Sequence, residues 1–429
     1  MRYYLNIFLN YIIKLESKIA FYPTIMGLGG VVFAFLMYYI EGLGISSYLT
    51  KNTPLLVVKD TETARNVLTT VIAGLISIMV FSFSLVMILL NQASSNFSPR
   101  VLPGLISNRR HQIILGIYLS SILYSIFTLI VIQSAGKAYQ LPGFSVLLAI
   151  VFMTVCLGAF IYFIHSISQA IQVNNIIDKI FSKAINRLEN LIEKEENYEI
   201  GFPDTSNWQV LKSTKSGYFQ NLSLNNLIDL TKQNECRFEI TPIKGSYVIK
   251  GTPIIKYDKD LDEESRSQIQ ASFFFSKSEL IEDNYALAFK QITEIAIKAM
   301  SPGINDPGTA INAIDYLTDL FLLRMNKKDT SYYLNEGQPV INIKTLSFSE
   351  LLYNVMAALR TYCKHDITMV IKLFIMLRHL LHSDEKYIDS YRDSIIHEIN
   401  NLHEDAIKNI SNKTDLNRIE LLYNDLINT

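Results

Sequence analysis

Five polar side chains fall close together in the run AMSPGINDPGTAIN at residues 299–312: Ser301, Asn305, Asp306, Thr309 and Asn312. Backbone N–H groups left free at a helix start attract an anion. The Asp306 carboxylate opposes that and favours a cation or a hydrogen-bonding partner. The same run has a purely local meaning. Ser301-Pro302 ends one helix, because the residue before proline avoids the helical region. Asp306-Pro307 starts the next, as N-cap and first helical residue. Two readings therefore stand for the run: a structural corner, or a contact for a ligand or another subunit. Spacing supplies no partner base or nucleophile, so an enzyme is not indicated.

A second set lies near the N-terminus. Thr70, Ser77, Ser84 and Asn91 recur every seven residues, with Ala73 and Gly74 on the same side. A heptad repeat keeps one helix face towards one neighbour. Small and hydroxyl residues there permit close helix packing, or they line a water-filled path. Next comes NQASSNFSPRVLPGLISNRRHQ, 91–112, whose Arg100, Arg109 and Arg110 either ring a pore mouth and favour anions or meet anionic lipid headgroups. His165 shares a face with Gln169 and Gln172 and joins the candidate lining residues. The apolar runs hold no carboxylate, lysine or arginine, which argues against a proton-relay pump or a charge-coupled carrier.

Other chemistry is sparse. His379 and His382 are three apart with Asp384 nearby, a spacing that fits a metal but more often marks an ordinary exposed pair. Cys156, Cys236 and Cys363 form no CxxC, so neither a disulfide framework nor a metal knuckle is expected. P-loop, Rossmann, HExxH and GxSxG motifs are missing. KGSYVIKGTPIIKY, 244–257, is similar to half of a lipoyl- or biotinyl-carrier barrel but lacks the lysine-bearing turn, so no cofactor is expected.

The elements that must position these residues follow from charge. Residues 1–165 carry 10 Lys+Arg and 4 Asp+Glu, and residues 166–429 carry 29 and 36. A basic, charge-poor part thus precedes an acidic one, which argues against nucleic-acid binding. Residues 19–40, 66–99, 111–136 and 138–177 hold no charge. A spanning helix needs roughly 20 apolar residues, so four spans are expected near Ile19–Ile40, Asn66–Leu90, Ile113–Gln133 and Phe144–Ile164. Lys/Arg bias puts both termini in the cytoplasm. Residues 1–18 have a polar stripe of Arg2, Asn6, Asn10, Lys14 and Lys18 and form an amphipathic segment, at the membrane surface or as an extension of the first span. The expected division is 1–18, a transmembrane domain at 19–165, a helical connector at 166–207 continuing the fourth span, a small α+β domain at 208–277 and a helical domain at 278–429. One unbroken helix is expected from Phe144 to Glu195. A hairpin is expected in 208–222, turning at Lys215-Ser216-Gly217. Short strands are expected within 326–346.

NQASSNFSPRVL after the second span, IYFIHSISQAIQVNNII through the fourth and AMSPGINDPGTAINAID further on together resemble one family, the bacterial predicted integral membrane proteins grouped as domain of unknown function 2254. The resemblance covers nearly the whole chain. It implies a four-span inner-membrane protein with a large C-terminal part, makes the serine–proline–asparagine–aspartate corner a family hallmark, and transfers no catalytic residue. The chain departs from the usual pattern in its richness in Asn, Lys, Ile and Tyr. The leading expectation is an oligomeric channel or pore in the lipid bilayer, with a cytosolic sensing or gating domain acting on an ion or small-molecule ligand. The alternative is a membrane-anchored regulator or scaffold that binds a ligand or partner at Ser301–Asn312.

Overall fold

A computed structural model describes residues 20–52, 57–58, 60–96, 109–134, 142–170, 172–193, 195, 201–277, 284–335 and 337–428. The amphipathic segment 1–18 and Arg100 lie outside the described residues. The chain divides into two compact units, one formed by residues 1–95 and 101–175, the other by 96–100 and 176–429.

The first unit holds the four apolar runs as helices: α1 Phe21–Gly42, a short α2 Ile45–Asn52, α3 Thr61–Asn96, α4 Arg109–Ser134 and α5 Gly143–Ala170. At 1.5 Å per residue, α1 is about 33 Å long, enough to cross about 30 Å of hydrocarbon. All four long helices meet the length and composition required of a membrane span. Asp60 opens α3, accepting from the Thr63 N–H at 2.7 Å and the Thr63 hydroxyl at 2.8 Å. Helix α4 is central: half of its most apolar window is buried, against 17% for α3. Small residues set its contact with α1. A Cβ on Gly30 would lie 2.4 Å from the Ser120 carbonyl oxygen and 2.8 Å from the Ser120 Cα. The expected close backbone approach therefore falls between the first and third spans, and not at Gly74, where a Cβ would meet only the flexible end of Met153.

The fourth span does not run on to Glu195. It ends at Ala170, and a separate helix, α6 Val173–Glu193, follows. The Asn175 side-chain amide donates to the Gln169 carbonyl at 2.8 Å. An asparagine that competes for the helix's own carbonyls interrupts a sequence whose apolar period continues.

In the second unit, two sheets share one core. The strands are β1 Gln209–Lys212, β2 Gly217–Leu222, β3 Phe238–Ile240, β4 Tyr247–Val248, β5 Pro253–Tyr257, β6 Phe273–Ser276, β7 Thr330–Asn335 and β8 Gln338–Lys344. Five form a sheet in the order β1-β5-β3-β8-β7, and three form another, β4-β2-β6. The expected 208–222 hairpin is not made. After β1 the chain crosses between sheets, because Ser213 bonds to the segment before β5: its N–H donates to Thr252 O at 2.9 Å and its carbonyl accepts from Gly251 N at 2.8 Å. Strands do form within 326–346, and they join the sheet of the α+β region: β8 pairs in parallel with β3, Phe238 opposite Ile341 and Ile240 opposite Ile343. Helices α7 Leu224–Gln233 and α8 Glu263–Ala271 complete this region. Phe219, Leu227, Phe238, Ile254, Ile269 and Ile341 form its buried core.

Six further helices follow: α9 Tyr285–Ala299, α10 Pro307–Arg324, α11 Phe348–Cys363, α12 Ile367–Leu381, α13 Ile388–Asn409 and α14 Lys413–Ile427. Side-chain caps open five of them: Asn284 for α9, Asp306 for α10, Ser347 for α11, Asp366 for α12 and Asn412 for α14. The interior carries a run of rings, Phe289, Phe321, Phe348 and Tyr391, with successive centroids 4.6, 5.8 and 4.4 Å apart. The fold class is thus a four-span membrane helical protein with an added α+β region and a C-terminal set of helices.

Candidate functional site

The heptad row of α3 has two sides. Leu68, Leu75, Ser82 and Leu89 are buried in the first unit. Thr70, Ser77, Ser84 and Asn91 share the same period, displaced by two residues, so they project about 160° away, and all four are exposed. The hydroxyls turn back on their own helix. Thr70 donates to Asn66 O at 2.8 Å, Ser77 to Ala73 O at 2.9 Å and Ser84 to Val80 O at 3.0 Å. The row is thus not a seam between α3 and the other spans of this chain. It is a strip of hydroxyl oxygens on an outer face shared with Ile76, Val80, Phe83 and Met87. His165 sits on a different helix, α5, and is exposed.

Two polar groups that the sequence reading passed over are buried in this unit. Glu41, near the end of α1, is only 6% exposed. Its carboxylate accepts from the Ser46 hydroxyl at 2.5 Å and, through its other oxygen, from the Ser145 N–H at 2.8 Å and the Ser145 hydroxyl at 2.9 Å. A carboxylate is well placed against the first N–H groups of α5, where the helix dipole is positive. The Tyr124 hydroxyl donates to Ser145 O at 3.0 Å and ties α4 to the same point. His111, also buried, faces the Ser166 hydroxyl at 3.1 Å and packs edge-on to Phe163. Neither could be found from local spacing, since Glu41 and Ser145 are 104 residues apart.

The 299–312 corner closes on itself. Asp306 caps α10, accepting from the Thr309 N–H at 3.0 Å with one oxygen and from the Thr309 hydroxyl at 2.6 Å with the other. These bonds hold the Asp306 carboxyl below its ordinary pKa. Asn305 takes a left-handed φ of +48°. Its N–H donates to Ser301 O at 3.0 Å, that of Asp306 to Ala299 O at 2.8 Å, and the Ser301 hydroxyl to Lys298 O at 2.6 Å. The local reading of this run, helix stop fused to helix start, accounts for each of these bonds. The corner is solvent-exposed from Pro302 to Gly308. Ser301, Asn305, Asp306 and Thr309 are brought together here, Asn312 lies further along α10, and Arg100, the other candidate for a ligand or subunit contact, lies outside the described residues.

The second unit also contains an arginine that no local motif singles out. Arg324 is fully buried at the end of α10. It donates to the Tyr285 hydroxyl at 3.1 Å, to Lys327 O at 2.7 Å and to Leu346 O at 3.2 Å, and it pairs with Asp329. Its neighbour Lys327 is buried too, with its ammonium on Lys328 O at 2.7 Å. Burial, with Arg324 second, pushes the Lys327 pKa down to about 8. Close by, a cavity of about 250 Å³ is lined by Arg187, Lys244, Lys327 and Lys344, with Tyr285 and Tyr333 among its walls. His379 and His382 line a shallow surface depression with Arg378 and Asp425. Among the described residues no cluster of three or more His, Cys, Asp or Glu has a metal-binding arrangement.

Four long apolar helices, the third of them central, joined to a separate α+β and helical unit, define a multi-pass helical membrane protein. The chain belongs to the family described as predicted membrane protein, DUF2254, which matches residues 16–379. An uncharacterized protein of Mycobacterium bovis is 25% identical over 271 residues, covering 59% of this chain and 51% of that protein. An uncharacterized protein of Mycobacterium tuberculosis strain H37Rv gives the same figures, and one of strain CDC 1551 is 24% identical over the same length. The match spans about half the length of these curated relatives. No solved structure matches this chain.

Proposed function

We propose that the protein is an oligomeric channel or pore of the cell inner membrane, with both termini in the cytoplasm and the second unit sensing or gating there. The observation that carries this reading is the outward hydroxyl row of Thr70, Ser77 and Ser84 on α3. A helix face turned wholly to lipid gains nothing from a hydroxyl at every second turn. With their hydrogens given to the backbone, the hydroxyl oxygens keep lone pairs for water or a cation. One subunit of four spans encloses no pore, so the row meets its like in a homo-oligomer. Purified protein in proteoliposomes should pass ions, and Ser77→Leu with Ser84→Leu should block that flux while the fold and oligomer persist. Unchanged flux in the double variant sinks the pore.

A second reading draws on the exposure of the 299–312 corner. There the protein is a membrane-anchored regulator or scaffold, and Asn305 and Asp306 present a polar turn to a ligand or partner. Asp306→Ala should then abolish partner capture with membrane assembly intact, and identical pull-downs from both proteins remove the site.

A further inference from the structure

The small sheet of the second unit, β4-β2-β6, has one face in the core and one face open. Val248, Phe219 and Phe273 belong to the core and are buried. The pleat sends their neighbours to the other side. There Tyr218 lies opposite Tyr247 on β4 and Ser276 on β6. Tyr247 is 57% exposed, Phe274 on β6 52%, and Ile249, just past β4, 63%. The Tyr218 and Tyr247 rings meet edge-on with centroids 5.0 Å apart. Aromatic and apolar side chains thus occupy a face that an antiparallel sheet ordinarily gives to polar residues. At its rim stand Lys215 and Lys250, both exposed. They belong to adjoining turns, since the Lys250 N–H donates to the Ser216 hydroxyl at 2.8 Å. The segments that build this rim, 209–222 and 240–256, contain five lysines and no Asp or Glu.

An exposed apolar surface of this kind marks a contact with protein or membrane. Two observations select the membrane. Rings and apolar side chains with lysines at the edge match a bilayer interface, where aromatic rings settle at headgroup level and ammonium groups reach lipid phosphates. The second unit is also tied to a bilayer by its own chain. It begins at Ile176, six residues on from Ala170, the last of the fourth span. Six residues reach at most about 22 Å, so a lipid surface is held at high effective concentration. We propose that the open face of this sheet rests on an anionic phospholipid surface. Tyr247, Ile249 and Phe274 enter the boundary between headgroups and acyl chains, and Lys215 and Lys250 meet lipid phosphates. The proposal goes beyond the pore reading, since it concerns what holds the second unit and not what passes through the first.

The test is fluorescence quenching of the full chain in lipid nanodiscs made with phosphatidylglycerol and brominated phosphatidylcholine. Trp208, the one tryptophan of the chain, is first removed by Trp208→Phe. Tyr247→Trp then reports from the open sheet face, and Leu421→Trp, at a position 69% exposed on α14, is the control. The brominated lipid should quench the Tyr247→Trp protein and leave the Leu421→Trp protein bright. Lys215→Glu and Lys250→Glu should each lower the ratio of docked to free form by about fivefold or more. Discs without phosphatidylglycerol should lower it too. Both lysines are exposed, so the variants keep the fold, and an unchanged melting temperature verifies this. Absent quenching at position 247, equal quenching of the control, or quenching indifferent to the lysine substitutions and to lipid charge overturns the proposal. Emission from the Tyr247→Trp protein that is blue-shifted but unquenched gives the face to a protein partner, such as a second copy, and equally overturns it. Because the readout is quenching without flux, its failure leaves the pore reading standing.

Discussion

Asp306 and Lys327 are opposite lessons in what one side chain does. Asp306 is exposed, and both its oxygens are used by Thr309. Asp306→Ala should cost about 1 kcal/mol, the usual value of an N-cap, read as a lowered urea midpoint. Because its folded pKa is lowered, the contribution is complete above the ordinary aspartate pKa and is lost as pH falls through the folded value. Lys327 is a buried cation that pairs with a carbonyl and sits beside Arg324. Its pKa falls to about 8 from 10.5, so its charge costs stability in full below pH 8. The unfolded chain holds the proton more tightly, and stability rises as pH goes from about 8 to 10.5. Allowing for the lost bond to Lys328 O, Lys327→Met should stabilise the protein at pH 7 by about 2 kcal/mol. The gain should shrink towards pH 10.5, and a constant or negative difference across that range contradicts the account.

At the scale of elements, two contacts hold the spans in place. The first is the approach of α1 to α4 at Gly30. Gly30→Ala drives a methyl into the Ser120 backbone, so the helices must part, at about 1–3 kcal/mol for an overpacked site. Gly29→Ala, where an added Cβ meets nothing within 4 Å, is the control and should leave the melting temperature in detergent unchanged. Equal effects at the two positions would show that the approach is not tight. The second contact is the Glu41 carboxylate on Ser46 and Ser145. Glu41→Gln replaces an acceptor with an amide donor facing other donors, and should destabilise by about 1–3 kcal/mol. An unchanged melt would mean water replaces those bonds.

These elements also mark how far the sequence could be read. The charge-free runs located all four spans, because length and missing charge are properties of one segment at a time. The 299–312 corner was legible for the same reason, since its helix stop, cap and first proline sit within a few residues. The heptad of α3 was visible, but its outward direction was not. Leu68-Leu75-Ser82-Leu89 has the same period, and only packing decides which row is covered. Pairings across long separations stayed hidden: Glu41 with Ser145, β3 in parallel with β8, and the cations of the second-unit cavity, which come from segments more than 150 residues apart in sequence. The unbroken helix from Phe144 failed because apolar period continues through Asn174-Asn175 while hydrogen bonding does not.

For the whole molecule, the claim that matters is what the outer face of α3 does. The second unit has its own core and its own cleft, and the first has four spans with one hydroxyl row turned outward. The proposed pore would join these facts through assembly of several chains. The most direct measurement is ion flux through purified full-length protein in proteoliposomes, wild type against Ser77→Leu with Ser84→Leu, after both are verified folded and of equal oligomeric size. The account predicts flux in the wild type and its loss in the variant. Equal flux in both, or a folded, oligomeric wild type that passes no ions, would contradict it.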